Sequence, residues 1–235
     1  MSRSKIENFL KCPRCFYLDR RLGVDQPPGY PFSLNSAVDT LLKKEFDVLR
    51  KSGEPHPLFA QYGIDAVPFK HPKMDEWRET LRGLQYEHAP SGFQVTGAVD
   101  DIWQNSKGEL HVVDYKATSK NGEVNIDAEW QKSYKNQMEI YQWLLRRQPD
   151  GFAVSPTGYF VYVNGRTDLE SFDGKLEFEA KIIPYEGDDS WVEQALLDAK
   201  KCLDSGELPQ ASMDCDYCLY RKSIQDVLAP YQKKE

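Results

Sequence analysis

The sequence predicts a mixed α/β fold, a β-sheet flanked by helices, and three observations carry that prediction. Helical and strand-like hydrophobic patterns interleave along the chain: helices, a hairpin-like strand pair, a helix, two more strands and a further helix. Hydrophobic residues make up 40% of the 235 residues and aromatics 12%, enough for one sizeable core, with no internal repeat or low-complexity tract. Two Cys-x-x-Cys pairs, Cys12–Cys15 and Cys215–Cys218, stand at opposite ends, which points to a single domain whose termini meet.

The elements follow in order. "SKIE" (Ser4 to Glu7) has capping-box spacing and opens a helix with Ile6, Phe9 and Leu10 on one face, running into "KCPRCFYLDRRLGV". "DQPPGYPF" reads as a Pro/Gly-rich loop. In "SLNSAVDTLLKKEFDVLRKSG", Leu34, Val38, Leu41, Leu42 and Phe46 keep helical spacing and Gly53 is the stop. "EPHPLFAQYGIDAVPFKHP", with four prolines, reads as irregular, and a helix is expected near Met74 to Glu87. "GFQVTGAVDDIWQNSKGELHVVDYKAT" contains two β-like runs joined by "NSKGE", a hairpin turn signal. "AEWQKSYKNQMEIYQWLLRRQ" is the next helix, ended by Pro149 and Gly151. "TGYFVYVNGR" and "LEFEAKIIPY" are two more strands, and "SWVEQALLDAKKCLDSG" is an amphipathic helix with Gly206 as its C-cap.

Charge and hydropathy exclude some classes. No run of about 18 apolar residues exists, so no membrane span is expected, and the N-terminus has too short an apolar stretch for a secretory signal. A cytoplasmic location follows as the default. A net charge of −7 counts against a large, sequence-independent grip on nucleic acid. It does not count against a site where bound cations offset clustered carboxylates.

The strand "HVVDYKATSK" raises the chemical question. Side chains alternate between faces along a strand, so Asp114 and Lys116 share one face. Asp100, in "GAVDDIW", comes within reach of Asp114 if the two strands pair as a hairpin. Two close carboxylates repel unless protonated or bridged by a cation, and hard oxygen ligands suit Mg²⁺ or Mn²⁺. The Tyr115 carbonyl offers a neutral ligand between them. Lys116 would position the attacking water while the metal lowers its pKa. Asp101 falls on the other face of its strand, unless a bulge exchanges its role with that of Asp100. The alternative is plain: two acids capping strand ends, with Lys116 as a surface ion-pair partner.

"GAVDDIW", "VVDYKAT" and "QMEIYQWLL", in this order, resemble the core motifs of PD-(D/E)XK nucleases of the RecB-like branch. The matching positions are Gly97 to Asp100, Asp114 to Lys116, and Gln137 with Tyr141, the last two four apart on one helix face. The resemblance implies a restriction-endonuclease-like sheet, a metal-dependent deoxyribonuclease acting as an exonuclease on single-stranded DNA or DNA ends, and backbone contacts from Gln137 and Tyr141. Where that branch carries a metal-ligating His, this chain has Asp39, in "NSAVDTLLKKEFD"; Glu45 lies nearly two turns further on. A catalytically inactive binding or assembly module on the same fold is the alternative.

The cysteines extend the resemblance to the CRISPR adaptation exonucleases and AddB-type helicase–nuclease subunits. It implies a nuclease core over about 30–200, a cysteine-bound cap from 1–25 and 203–235, a [4Fe–4S] cluster and an integrase or helicase partner. Four thiolates in two pairs also suit Zn²⁺, and two-plus-two departs from the one-plus-three arrangement usual there. Cys202 reads as core. His56, His71, His88 and His111 show no metal-ligand spacing and read as structural or exposed. Arg14, Arg20, Arg21, Arg146 and Arg147 form basic patches that meet phosphates or simply solvate helix faces. Tyr17, Tyr134 and Trp143 are candidates for base stacking or for core packing.

Overall fold

The computed structural model describes residues 1–29 and 33–232, which divide into two compact units. The larger spans 33–87 and 94–192. Its five-stranded sheet has the order β1 (Val67–Pro68), β4 (Asp101–Gln104), β5 (Leu110–Thr118), β6 (Thr157–Gly165), β7 (Phe178–Glu186). Neighbours run antiparallel except β5 and β6, which are parallel. A parallel pair needs a crossover. Here it contains α6 (Lys132–Arg146), whose central stretch from Gln137 to Leu145 is buried throughout.

The two faces of β5 go to different helices. Val113 and Tyr115 join Trp103, Val161, Val163 and Ile182 in a core closed by Val38 and Phe46 of α3 (Ser33–Ser52) and by Phe59. Asp114 and Lys116 turn to the opposite face and meet α6, through Gln137 and Tyr134. The alternation that the strand sequence implies thus separates an aromatic core from a polar site across one sheet.

The smaller unit gathers 1–29, 88–93 and 193–232. It contains α1 (Arg3–Lys11), α2 (Pro13–Leu22), most of α7 (Val192–Asp204) and α8 (Asp216–Gln232). Pro13 breaks α1 from α2 because it has no N–H to donate, and it sits instead in the first turn of α2. Among the described residues no helix is long and apolar enough to cross a membrane.

Several elements differ from the sequence expectation. α1 starts at Arg3 with Ser2 as N-cap, two residues ahead of the capping box read at Ser4. The Pro-rich stretch holds α4 (Pro57–Tyr62), with Pro57 in its first turn and the His56 side chain accepting from the Leu58 N–H, and then β1. The helix expected near Met74 to Glu87 is α5 (Met74–Arg78) followed by β2 (Leu84–His88). Gly83 explains the switch: its φ is +63°, and a Cβ there would lie 2.5 Å from the Gly97 carbonyl oxygen. β2 pairs with β3 (Phe93–Gly97) in a separate two-stranded sheet, so the run read as one strand before "NSKGE" is split between two sheets. α8 extends well past the cysteine motif, which carried no helix assignment in the sequence reading.

Candidate functional site

The antiparallel register pairs Asp101 with Val113, which puts Asp100 opposite Asp114. Asp100 is held there by the Tyr115 backbone N–H, 2.8 Å from its Oδ2. Asp114 is fully buried. Its Oδ1 accepts from Gln137 Nε2 at 2.6 Å, and Lys116 Nζ closes an ion pair on its Oδ2. Gln137 also donates to the Tyr141 hydroxyl at 3.2 Å, so the pair four apart on α6 does face the carboxylates. Gly97 makes room for this: a Cβ there would lie 2.8 Å from the Tyr141 ring. The glycine of the Gly-x-x-Asp motif therefore has a packing reason to be glycine.

From α3, Asp39 and Lys43 complete the cluster. Lys43 Nζ is 2.9 Å from Asp39 and 3.6 Å from Asp100. Sequence reading missed Lys43, although its place one turn after Asp39 was the available signal. Tyr134, read as a base-stacking candidate, instead lies under the Lys116 ammonium, 4.3 Å from nitrogen to ring centroid. These groups border a cleft of about 740 Å³ lined by Asp39, Asp100, Lys116, Tyr134 and Phe178. Burial and the neighbouring Asp114 charge push the Asp100 carboxyl up to about 6, against the pull of Lys43, Lys116 and the Tyr115 N–H.

The Tyr115 side chain turns to the opposite face of the sheet, to Asp101. Its hydroxyl donates to Asp101 Oδ2 at 2.8 Å, and burial followed by the Asp101 charge raises its pKa well above the ordinary tyrosine value. Asp101 itself is buried and locked: Arg50 Nη2 is 2.6 Å and Arg78 Nη2 3.0 Å from its Oδ1. Asp47 bridges the same two arginines. Asp101 thus points away from Asp100 into a charge network on the α3 face. Glu45 is likewise engaged elsewhere, with His56.

The four cysteines meet in the smaller unit. All their sulfurs lie within 4.8 Å of one another, and they form the only convergent set of three or more metal-ligating side chains found among the described residues. Each pair begins a helix, Cys12 and Cys15 at α2 and Cys215 and Cys218 at α8. The Cys12 carbonyl accepts from the Phe16 N–H, and the Cys215 carbonyl from the Leu219 N–H. Burial opposes ionisation of Cys12, yet hydrogen bonds from the Cys15 and Ser212 backbone and from the Cys215 and Cys218 side chains bring it down to about 6. Burial raises Cys15 and Cys215. Cys202 stands apart, its Sγ 3.9 Å from the Pro13 carbonyl oxygen.

A family model of the PD-(D/E)XK nuclease superfamily matches residues 33–223. The chain belongs to the PD-(D/E)XK nuclease superfamily. The match covers every residue of the carboxylate cluster and the second cysteine pair, and leaves the first pair outside. No curated protein matches the chain. A solved chain described as "Crystal structure of SSO0001" is similar at 15% identity over 94% of this chain and 83% of that one, with a TM-score of 0.39.

The other aromatic and basic side chains singled out for nucleic acid are mostly committed to the fold. Trp143 and Tyr17 are buried, so neither offers a face for base stacking. Arg14 donates to the Pro209 carbonyl, Arg146 pairs with Asp189, and Arg147 lies 3.9 Å over the Trp143 ring. His56, His88 and His111 are buried and hydrogen-bonded to Glu45, to Ser91 and Glu193, and to the Thr157 carbonyl respectively, while His71 stacks on Trp77 at 4.3 Å.

Proposed function

We propose that this chain is a metal-dependent deoxyribonuclease of the RecB-like branch, an exonuclease on single-stranded DNA or DNA ends, working in CRISPR adaptation or DNA repair beside an integrase or helicase. The observation that carries the reading is one constellation: Asp114 held by both Lys116 and Gln137, with Asp100 across the strand pair. The donor set suits a hard divalent cation. Asp114 Oδ2 is buried without a hydrogen bond, facing only the Lys116 ammonium, and Asp100 is held at a raised pKa beside it. Asp39, Asp100, Asp114 and the Tyr115 carbonyl are the groups that would hold Mg²⁺ or Mn²⁺, the carboxylates drawing together as the ion replaces the ammoniums of Lys43 and Lys116 that now sit on them. When bound, such an ion supplies Lewis acidity and a low-pKa water.

The protein's own residues do the rest. Gln137 fixes the Asp114 carboxylate plane, so that its second oxygen stays aimed into the site. Tyr134 steadies the Lys116 ammonium, which orients a water and balances charge on the scissile phosphate. Tyr141 is buried and its hydroxyl accepts from Gln137, so it acts by positioning that side chain. The domain reading is one nuclease over 1–235, with a core of about 30–200 and segments 1–25 and 203–235 joined through the cysteines. The resemblance implies iron–sulfur at those cysteines, and paired Cys-x-x-Cys motifs equally suit Zn²⁺.

The test is Mn²⁺-dependent degradation of end-labelled single-stranded DNA and duplex ends by the native chain, Asp114→Ala and Lys116→Ala. Activity should fall about 10²-fold or more in each variant, with unchanged circular dichroism. Lys43 favours a second reading, a binding module, because its ammonium already bridges Asp39 and Asp100. Absence of Mn²⁺ binding and of cleavage of DNA or RNA by the native chain would select it.

A further inference from the structure

The four sulfurs are spaced for one metal ion. Cys12 and Cys218 Sγ are 3.8 Å apart, Cys15 and Cys215 3.5 Å, and Cys15 and Cys218 3.6 Å. No pair in the set exceeds 4.8 Å. A tetrahedral ion with metal–sulfur bonds of about 2.3 Å requires sulfur–sulfur edges of about 3.8 Å. A [4Fe–4S] cube binds each thiolate to a different iron and spreads the four sulfurs roughly 6 Å apart. To admit it, each of the four sulfurs would have to move outward by more than an ångström. The cubane therefore does not fit this set, and a mononuclear centre does.

We infer that the cysteine centre is a closed, mononuclear tetrathiolate site for Zn²⁺, not an iron–sulfur cluster. Local structure agrees with the distances. The two Cys-x-x-Cys pairs are equivalent, each with its first cysteine immediately before a helix and its second in the first turn, and each with the first carbonyl bonded four residues on. Two equal two-ligand turns build a tetrahedron from opposite edges. Four thiolates on a divalent ion leave two negative charges, and the structure answers these with donors. The Ser212 N–H lies 3.5 Å from Cys12 Sγ and Arg221 Nη2 3.4 Å from Cys218 Sγ. The helix N-termini add positive dipole ends beside the sulfurs. Cys202 plays no part, since its sulfur approaches a backbone carbonyl instead.

The experiment is metal and acid-labile sulfide analysis of the full chain, purified without oxygen from cells supplied with both iron and zinc. One zinc per chain with no labile sulfide is the expected result. About four irons and four sulfides per chain would overturn the inference. A chain isolated empty is titrated, reduced, with Co²⁺. The intense visible bands of tetrahedral cobalt and the thiolate charge-transfer absorption should both saturate at one equivalent, and cobalt uptake without these bands, or their failure to saturate at one equivalent, would overturn it. Cys215→Ser should weaken the cobalt site by about tenfold or more and reduce the charge-transfer absorption, whereas Cys202→Ser should leave both unchanged. Loss of the site in Cys202→Ser would overturn the assignment of the ligands. Labile sulfide and thiolate charge-transfer absorption report the cysteines alone, so a divalent ion taken up by the carboxylate cleft does not enter them.

Discussion

The carboxylate cleft and the cysteine centre both crowd groups that repel when ionised, and they manage the crowding in different ways. In the cleft, Asp39, Asp100 and Asp114 are interleaved with Lys43, Lys116 and the Tyr115 N–H, all carried by a sheet and two helices that pack for reasons of their own. Most of the charge is balanced inside the protein, so the cleft keeps its shape before any ion arrives. At the cysteine centre, four sulfurs within 4.8 Å have as donors Ser212 and Arg221 and each other. Their own packing partners are few, Ala211 among them. A cleft of the first kind stands on the packing of its own elements; a centre of the second kind, if it takes an ion, couples that binding to folding.

The largest expected effect tests that contrast directly. Stripping the cysteine-bound metal with a strong chelator under reducing conditions should remove stabilisation on the scale of about 10 kcal/mol from the smaller unit. Hydrogen exchange should then show amides of α1, α2 and α8 losing protection while β4, β5 and β6 keep theirs. Retained protection in α1 and α2 would mean that the thiols pack as ordinary core and that the contrast is false.

Next comes the neighbour pair Asp100 and Asp101. Removing Asp101 leaves Arg50 and Arg78 to Asp47 alone and takes the acceptor from the Tyr115 hydroxyl, and Asp101→Ala should cost about 3 kcal/mol. In thermal melts that is a fall of roughly 10 °C for a chain of this size. Asp100→Asn should do the opposite. The folded pKa of Asp100, about 6, lies above the ordinary 3.8, so its charge costs stability at pH above both values and costs nothing below 3.8. In EDTA at pH 8 the Asn variant should gain up to about 3 kcal/mol, and most of the gain should be lost by pH 4. Equal effects at the two pH values would show that the gain is not electrostatic.

The smallest effect belongs to Lys43. Its side chain is partly exposed and its ion pair with Asp39 is an ordinary one-turn helix pair, so Lys43→Ala should change stability by no more than about 1 kcal/mol. Removing a competing ammonium should tighten Mn²⁺ binding by calorimetry, by a few-fold. Weaker binding instead would mean that Lys43 holds Asp39 in place rather than competing for it.

Much of this was legible in the residues. Strand alternation in "VVDYKAT" put Asp114 and Lys116 on one face, helix periodicity put Gln137 and Tyr141 together, and the paired Cys-x-x-Cys spacing announced a metal set, because each of these rests on a local repeat that any chain of L-residues must follow. Elements whose identity hung on a single backbone position were not legible, as at Gly83, where a close approach to Gly97 turned an expected helix into a strand. Nor were contacts between residues distant in sequence. Nothing local distinguishes Asp100, facing Asp114, from Asp101, buried against two arginines; the pleat separates them, and only the packing of α3 and α5 supplies Arg50 and Arg78 to one of them. The same holds at the termini. The sequence by itself determined which four sulfurs could share an ion, while their separation, and with it the choice between one metal and a cluster, was decided by how two helix starts more than 190 residues apart come together. Ligand type is a property of residues, but ligand distance is a property of the fold.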